Sequence, residues 1–166
     1  MPNYYYLVAQ LPSLFMSSEL PIRIPAFLRE SEKWLSSTDF ARLQRVDLRD
    51  IGSDSRDLPI LADYKNFEYQ LLREIGEWRK ARRQKQEYKP TLFSAAMVKE
   101  GNPLEVEKRL IELRWQRIEE LQSEHYFDIE YLLLYYLQLQ LLQRLESFNH
   151  KLGMEKYKQI TEISYE

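Results

Sequence analysis

The residues with the types and spacing to do chemistry fall in three places. The densest is Trp78-Arg79-Lys80-Ala81-Arg82-Arg83-Gln84-Lys85, where cations gather beside an indole. Such a grouping suits phosphates with stacked bases, lipid head groups or the carboxylates of an acidic protein. It also suits a plain solvated helix end, because cations there complement the helix macrodipole without any ligand. Between Arg73 and Lys89 there are seven basic residues and three acidic ones. The second place is His125 with Glu124 and Asp128, a conceivable acid–base cluster whose commoner counterpart is a turn histidine bonded to backbone. The third is Asp50, Asp54 and Asp57 in DIGSDSRD. A calcium loop needs acids at alternate positions, a glycine at the sixth and a glutamate at the twelfth, and this spacing fails. A solvated acidic loop is the expectation there.

Other chemistries lack a foundation. Without cysteine there is no disulfide, thiolate nucleophile or cysteine-held metal. The two histidines, His125 and His150, stand outside any metal-ligand pattern, and neither H-E-x-x-H nor the paired Glu-x-x-His of a di-iron bundle occurs. Phosphate-binding glycine loops and the G-x-S-x-G elbow are also missing. Glu119 and Glu120 are neighbours, but adjacent helical residues point about 100° apart and seldom converge. The expectation is therefore a protein that is no enzyme, with no catalytic residues, cofactor, metal or small-molecule substrate.

Composition agrees with a protein that works by contact. The 166 residues suffice for one domain with a hydrophobic core. Lys and Arg number 24 against 26 Asp and Glu, a net charge of −2 that argues against a general polyanion binder while leaving room for a local basic patch. The twelve tyrosines read as core edges and interface material. MPNYYYLVAQLPSLF has neither the basic start nor the apolar segment of a secretory signal. The most apolar run, Tyr131 to Leu137, falls well short of the roughly 20 residues that span a bilayer. These features predict a soluble cytoplasmic protein, free to touch a membrane-embedded partner.

The elements that must position these groups read as helices within one domain, residues 1–166. Residues 1–58 predict loops and short helices. Tyr4 to Gln10 is open between strand and helical turns, and prolines 12, 21 and 25 punctuate a loop. A helix over 25–36 buries Phe27, Leu28 and Trp34 or Leu35, and Ser37 or Thr38 caps a second carrying Phe40, Leu43, Val46 and Leu48. A long helix follows over 59–85, with Ile60, Tyr64, Phe67, Leu71, Ile75 and Trp78 on one stripe that Arg82 and Lys85 continue. Its last turns should therefore leave the core. Pro90 to Gly101 is a connection with one helical turn near 92–98. Asn102-Pro103-Leu104-Glu105 is a capping box opening a helix over 103–123. Within that helix Glu107 and Arg114 share a side, either as an internal ion pair or with the arginine offered to a partner. Asp128 caps a central helix to Asn149, completing an antiparallel hairpin. Gly153 should stop it, and Met154 to Ile163 should fold back as a short terminal helix within the 102–164 unit. The fold class is all-α: a helical bundle built on that hairpin, with the 59–85 helix packed across it.

Certain stretches resemble a known family. Tyr4-Tyr5-Tyr6-Leu7-Val8-Ala9 before Leu11-Pro12, Leu113-Arg114-Trp115, His125-Tyr126-Phe127-Asp128 and Leu137-Gln138-Leu139-Gln140 with Leu145 resemble a bacterial family of unknown function encoded beside V-type ATPases. Asn66-Phe67-Glu68 and Leu71-Leu72, leading to Arg79 and Arg82-Arg83, look like a repeat helix of the C subunit of V-type ATPases. The resemblance implies a non-catalytic coupler that joins the central stalk to the membrane rotor and contacts subunits of both. It implies a cytoplasmic location, peripheral to the inner membrane as part of the ATPase. A full C subunit has three helical repeats, so a chain this short holds a reduced version. Trp78, Arg79, Arg82, Arg83 and Arg114 are the candidate partner-binding residues. A helical adaptor unrelated to the ATPase is the alternative, as is a nucleic-acid-binding protein using 79–85, against which the charge balance argues.

Overall fold

This computed structural model describes residues 4–16 and 19–163, the side chains of residues 150–152, 156 and 163 excepted. Among the described residues every regular element is a helix: α1 Tyr5–Gln10, α2 Ile24–Trp34, α3 Ser37–Gln44, α4 Pro59–Arg83, α5 Ala95–Lys99, α6 Pro103–Gln122 and α7 Ile129–Ile163. The fold is all-α, with α6 and α7 forming the hairpin and α4 packed against both.

The apolar half of α7 sets the core. Leu132 to Leu139 are buried without interruption, and Leu141, Leu142 and Leu145 extend the buried stripe. Gln138 lies within that run, 4% exposed, and accepts a bond from Gln122 Nε2 at 3.2 Å, so its burial leaves the amide oxygen satisfied. Around this post pack Phe27, Leu43, Leu61, Tyr64, Ile111, Trp115 and Ile118. The chain start, the alternative left open between strand and helix, is the helix α1; Tyr4 N–H bonds to Phe127 O at 2.7 Å and its hydroxyl donates to Asp39 at 2.5 Å. Gln140 ties the 46–48 turn to α7, donating to Val46 O at 2.8 Å and accepting from Leu48 N at 2.9 Å.

Leu71, Ile75, Phe93 and Leu110 form a second, smaller core between the later turns of α4 and the start of α6, closed over by Leu92, Met97 and Val98. The capping box at Asn102 is present with both arms, Glu105 N to Asn102 at 2.9 Å and Asn102 N to Glu105 at 3.2 Å.

Four expectations need correction. Gly153 does not stop the central helix; α7 continues to Ile163, and Met154, Tyr157 and Ile160 are exposed instead of folding back. A helical glycine weakens a helix by about 1 kcal/mol, but a glycine stop works through the left-handed backbone, which among the described glycines only Gly101 adopts. The side chains of His150 and Ile163 lie outside the described residues. The cap of α3 is Ser36, which accepts from Asp39 N at 3.2 Å, and Leu35 is buried where Trp34 stays 44% exposed. The loop at 50–57 is not wholly solvated: Asp57 is buried against Lys65 Nζ at 2.7 Å, and Asp50 and Gly52 O reach the same ammonium at 3.5 and 3.2 Å. Along the 59–85 stripe Leu61, not Ile60, is the buried residue of the first turn, and Lys65 and Glu68 also turn inward to their ionic partners.

Candidate interaction surface

The basic helix end is built by three local devices. The first is the termination of α4. Gln86 N bonds to Ala81 O at 2.8 Å and Lys85 N to Arg82 O at 3.3 Å, with Lys85 in the left-handed region at φ 55°. This is the paired-bond helix stop that usually carries glycine at the left-handed position. Lysine holds that position here, and the chain turns back over the helix end.

The second device is Glu74. Though it is nearly enclosed on α4, its carboxylate accepts from Thr91 N at 3.0 Å, from the Thr91 hydroxyl and from Leu92 N at 2.9 Å. Burial pushes the carboxyl up, and the bonds from Thr91 and Leu92 overcome that and hold it below its ordinary value. Glu74 thereby latches the returning segment to α4. The third device is Arg109, which donates to Met97 O at 3.1 Å and to Glu100 O, fixing α5 against α6.

These contacts leave a groove of about 600 Å³, with Trp78 and Ala81 on one side, Ala95 and Lys99 on the other, and Arg82, Glu87 and Lys89 among its walls. The Arg82 guanidinium lies 5.3 Å over the Trp78 ring. Arg79, Lys80, Arg82, Arg83, Lys85, Lys89 and Lys99 are all exposed, and among the described residues none has a carboxylate within ion-pair distance. Glu77, the acid on the neighbouring turn, pairs instead with Arg73 at 3.8 Å. Four of the five predicted contact residues, Trp78, Arg79, Arg82 and Arg83, thus share this end.

Arg114 does not, and its role as an offered residue is corrected. It is 8% exposed and grips Glu68 of α4 through Nε at 2.9 and 3.1 Å and Nη2 at 2.8 Å. Burial alone would lower the guanidinium's pKa, but its bonds to Glu68 raise it. Glu107 follows at 4.0 Å from Arg114 and pairs closely with Arg144, so alternating charges link α4, α6 and α7. The Tyr64 hydroxyl is enclosed beside this pair, and its burial raises its pKa above the ordinary phenol range. The internal reading of the Glu107–Arg114 spacing holds, with Glu68 as the stronger partner. Sequence spacing within α6 could not reveal it, since Glu68 sits on another helix.

His125 Nδ1 lies 2.7 Å from Asp128, whose other oxygen accepts from Tyr131 N at 2.9 Å as the cap of α7. Glu130 lies close enough for the three to form a conceivable cation cluster, but the Asp128 carboxylate is already engaged by the helix it caps. At the same end of the hairpin Tyr5, Tyr6, Trp34, Tyr126 and Phe127 are exposed; Tyr6 stacks on Trp34 at 5.9 Å and Tyr5 meets Phe127 edge-on at 4.8 Å. Tyrosines as interface material were expected, but bringing them together took the contact of Tyr4 with Phe127 O.

Residues 84–164 match the family model described as a protein of unknown function (DUF2764). That stretch runs from the end of α4 through α5, α6 and α7, taking in Lys85, Lys89 and Lys99 but not Trp78 to Arg83. No curated protein and no solved structure matches the chain. Among the described residues no helix is long and apolar enough to cross a membrane.

Proposed function

We propose that this protein resembles the C subunit of V-type ATPases in role, as a coupling or assembly factor which helps hold the central stalk on the membrane rotor through protein contacts and turns over no substrate of its own. The observation that carries the reading is the basic end of α4 with the segment that returns over it: Arg79, Lys80, Arg82 and Arg83 on the helix and Lys85, Lys89 and Lys99 beyond it, all exposed and without carboxylate partners among the described residues, with the returning segment latched by Glu74. Elsewhere arginines 23, 42, 49, 56, 117 and 144 are each paired with a neighbouring acid, while Arg29 and Arg45 are exposed without a carboxylate at ion-pair distance among the described residues. A surface that leaves its cations unneutralised favours and steers an acidic partner. The family resemblance of α4 and of the hairpin supplies the identity of that partner, an acidic stalk or rotor subunit in the cytoplasm at the inner membrane.

The test is a pulldown of the tagged protein from its native cells, with solubilised membranes included, read by mass spectrometry at moderate salt. Recovery of ATPase stalk and rotor subunits, lost when Arg79, Arg82 and Arg83 are changed to glutamate, is the expected result. Recovery that survives the reversal keeps the function and moves the dock elsewhere. Absence of every ATPase subunit ends the coupler reading and leaves a helical adaptor.

A further inference from the structure

We infer that the groove between the end of α4 and α5 binds a short acidic protein segment, with an apolar side chain seated between Trp78 and Ala95 and carboxylates reaching Arg82, Lys89 and Lys99. The inference rests on the proposed role of this end as a docking surface and narrows it to a pocket and a ligand chemistry. Its cations and its apolar residues share both walls, Arg82 with Trp78 and Ala81 on one and Lys99 with Ala95 on the other. A ligand that satisfies both must alternate charge with apolar bulk, as acidic peptides do and a uniformly charged polyanion does not.

One further feature selects against nucleic acid. Base stacking needs an open aromatic face, and the Trp78 ring already carries Arg82 at 5.3 Å. Glu87 also stands in the groove wall and repels any anionic ligand, so the carboxylates of the bound segment must lie toward Arg82, Lys89 and Lys99. The groove is built in advance: Glu74 and Arg109 fix both of its walls, so binding orders little additional chain.

The experiment uses the purified full chain and a fluorescein-labelled dodecapeptide alternating glutamate with leucine, followed by anisotropy. The controls are its glutamine counterpart, a single-stranded dodecanucleotide and vesicles rich in phosphatidylserine. The acidic peptide should bind, the glutamine peptide should bind at least about tenfold more weakly, and the double change Arg82→Glu with Lys89→Glu should abolish binding. Ala95→Trp fills the groove without altering charge at an exposed position, and should weaken the peptide by about tenfold, as loss of a central anchor does. Equal binding to Ala95→Trp overturns the groove and leaves a diffuse positive field. Tighter binding of the oligonucleotide or the vesicles than of the peptide overturns the ligand class. Because no ATPase is present, peptide binding together with an empty pulldown would retain the groove and remove the coupler, and the reverse pattern would do the opposite.

Discussion

The two halves of α4 treat charge in opposite ways. In the first half Lys65 and Glu68 are buried and each is answered from elsewhere in the chain, Lys65 by Asp57 and Glu68 by Arg114. In the second half Arg79, Lys80, Arg82 and Arg83 are exposed and none is answered by a carboxylate among the described residues. Burial makes the difference, because an enclosed charge without a partner costs several kcal/mol, roughly, whereas an exposed one costs almost nothing. The first half must therefore solve its electrostatics within the fold. The second is free to leave its cations for something outside.

Removing charge should consequently hurt stability in the first half and recognition in the second. The largest effect is expected at Arg114. Arg114→Met strands the Glu68 carboxylate in the core and should lower unfolding free energy by about 3–5 kcal/mol, read by urea denaturation. Adding Glu68→Leu should recover most of that loss, because a buried pair is commonly replaceable by apolar side chains of similar volume. Reversing Arg79, Arg82 and Arg83 together should change stability by no more than roughly 0.5 kcal/mol per site. If the triple reversal unfolds the chain, or Arg114→Met leaves it intact, the contrast between the halves is wrong. Next in size is Lys65→Met, which leaves Asp57 buried and unpaired. It should cost about 1.5–3 kcal/mol, with faster amide exchange confined to the 50–57 loop and the start of α4.

How far this contrast could be read from sequence follows from what each half depends on. Exposed cations need no partner within the fold, so the exposure of Arg79, Arg82 and Arg83 was legible from type and spacing alone. Capping is equally local, which is why Asn102 and Asp128 were found at their helices. Ion pairs between helices are not local. Glu68 and Arg114 are 46 residues apart, and nothing in either helix names the other. Asp57 read as a loop acid for the same reason, since its burial is created by Lys65 on the next helix. Gly153 does not end α7 because its backbone stays out of the left-handed region, and a glycine that does not make that turn only weakens the helix it sits in. Lys85, which does turn, bears a residue type that rarely does so.

A smaller effect should follow acidification. The Glu74 carboxyl is held below its ordinary value of 4.5, so its contribution is complete above that pH and is lost as pH falls through the lower folded-state value. The bonds to Thr91 and Leu92 should hold at neutral pH and release in stronger acid. The protection of these two amides, taken relative to their intrinsic exchange at each pH, should fall only as pH drops below the ordinary carboxyl value of 4.5 in the native chain. Glu74→Gln should lower it at every pH and flatten the dependence. A pH dependence that persists in Glu74→Gln would assign the latch to another group.

The smallest effect is expected at Lys85, where the two demands on this end of α4 meet in one residue. Its left-handed backbone costs an L-residue roughly 1 kcal/mol that glycine escapes. Glycine also enlarges the freedom of the unfolded chain, which takes back about 0.4–1 kcal/mol. Lys85→Gly should therefore leave stability between unchanged and roughly 0.6 kcal/mol higher by urea denaturation. Acidic-peptide affinity should fall by no more than about threefold, because Lys85 lies beside the groove and contributes only screened charge. A stabilised variant with nearly full affinity would mean that lysine at this turn is tolerated and not required. A stabilised variant that loses the peptide would mean the strain is retained to hold that cation over the groove, which would make Lys85 part of the docking surface.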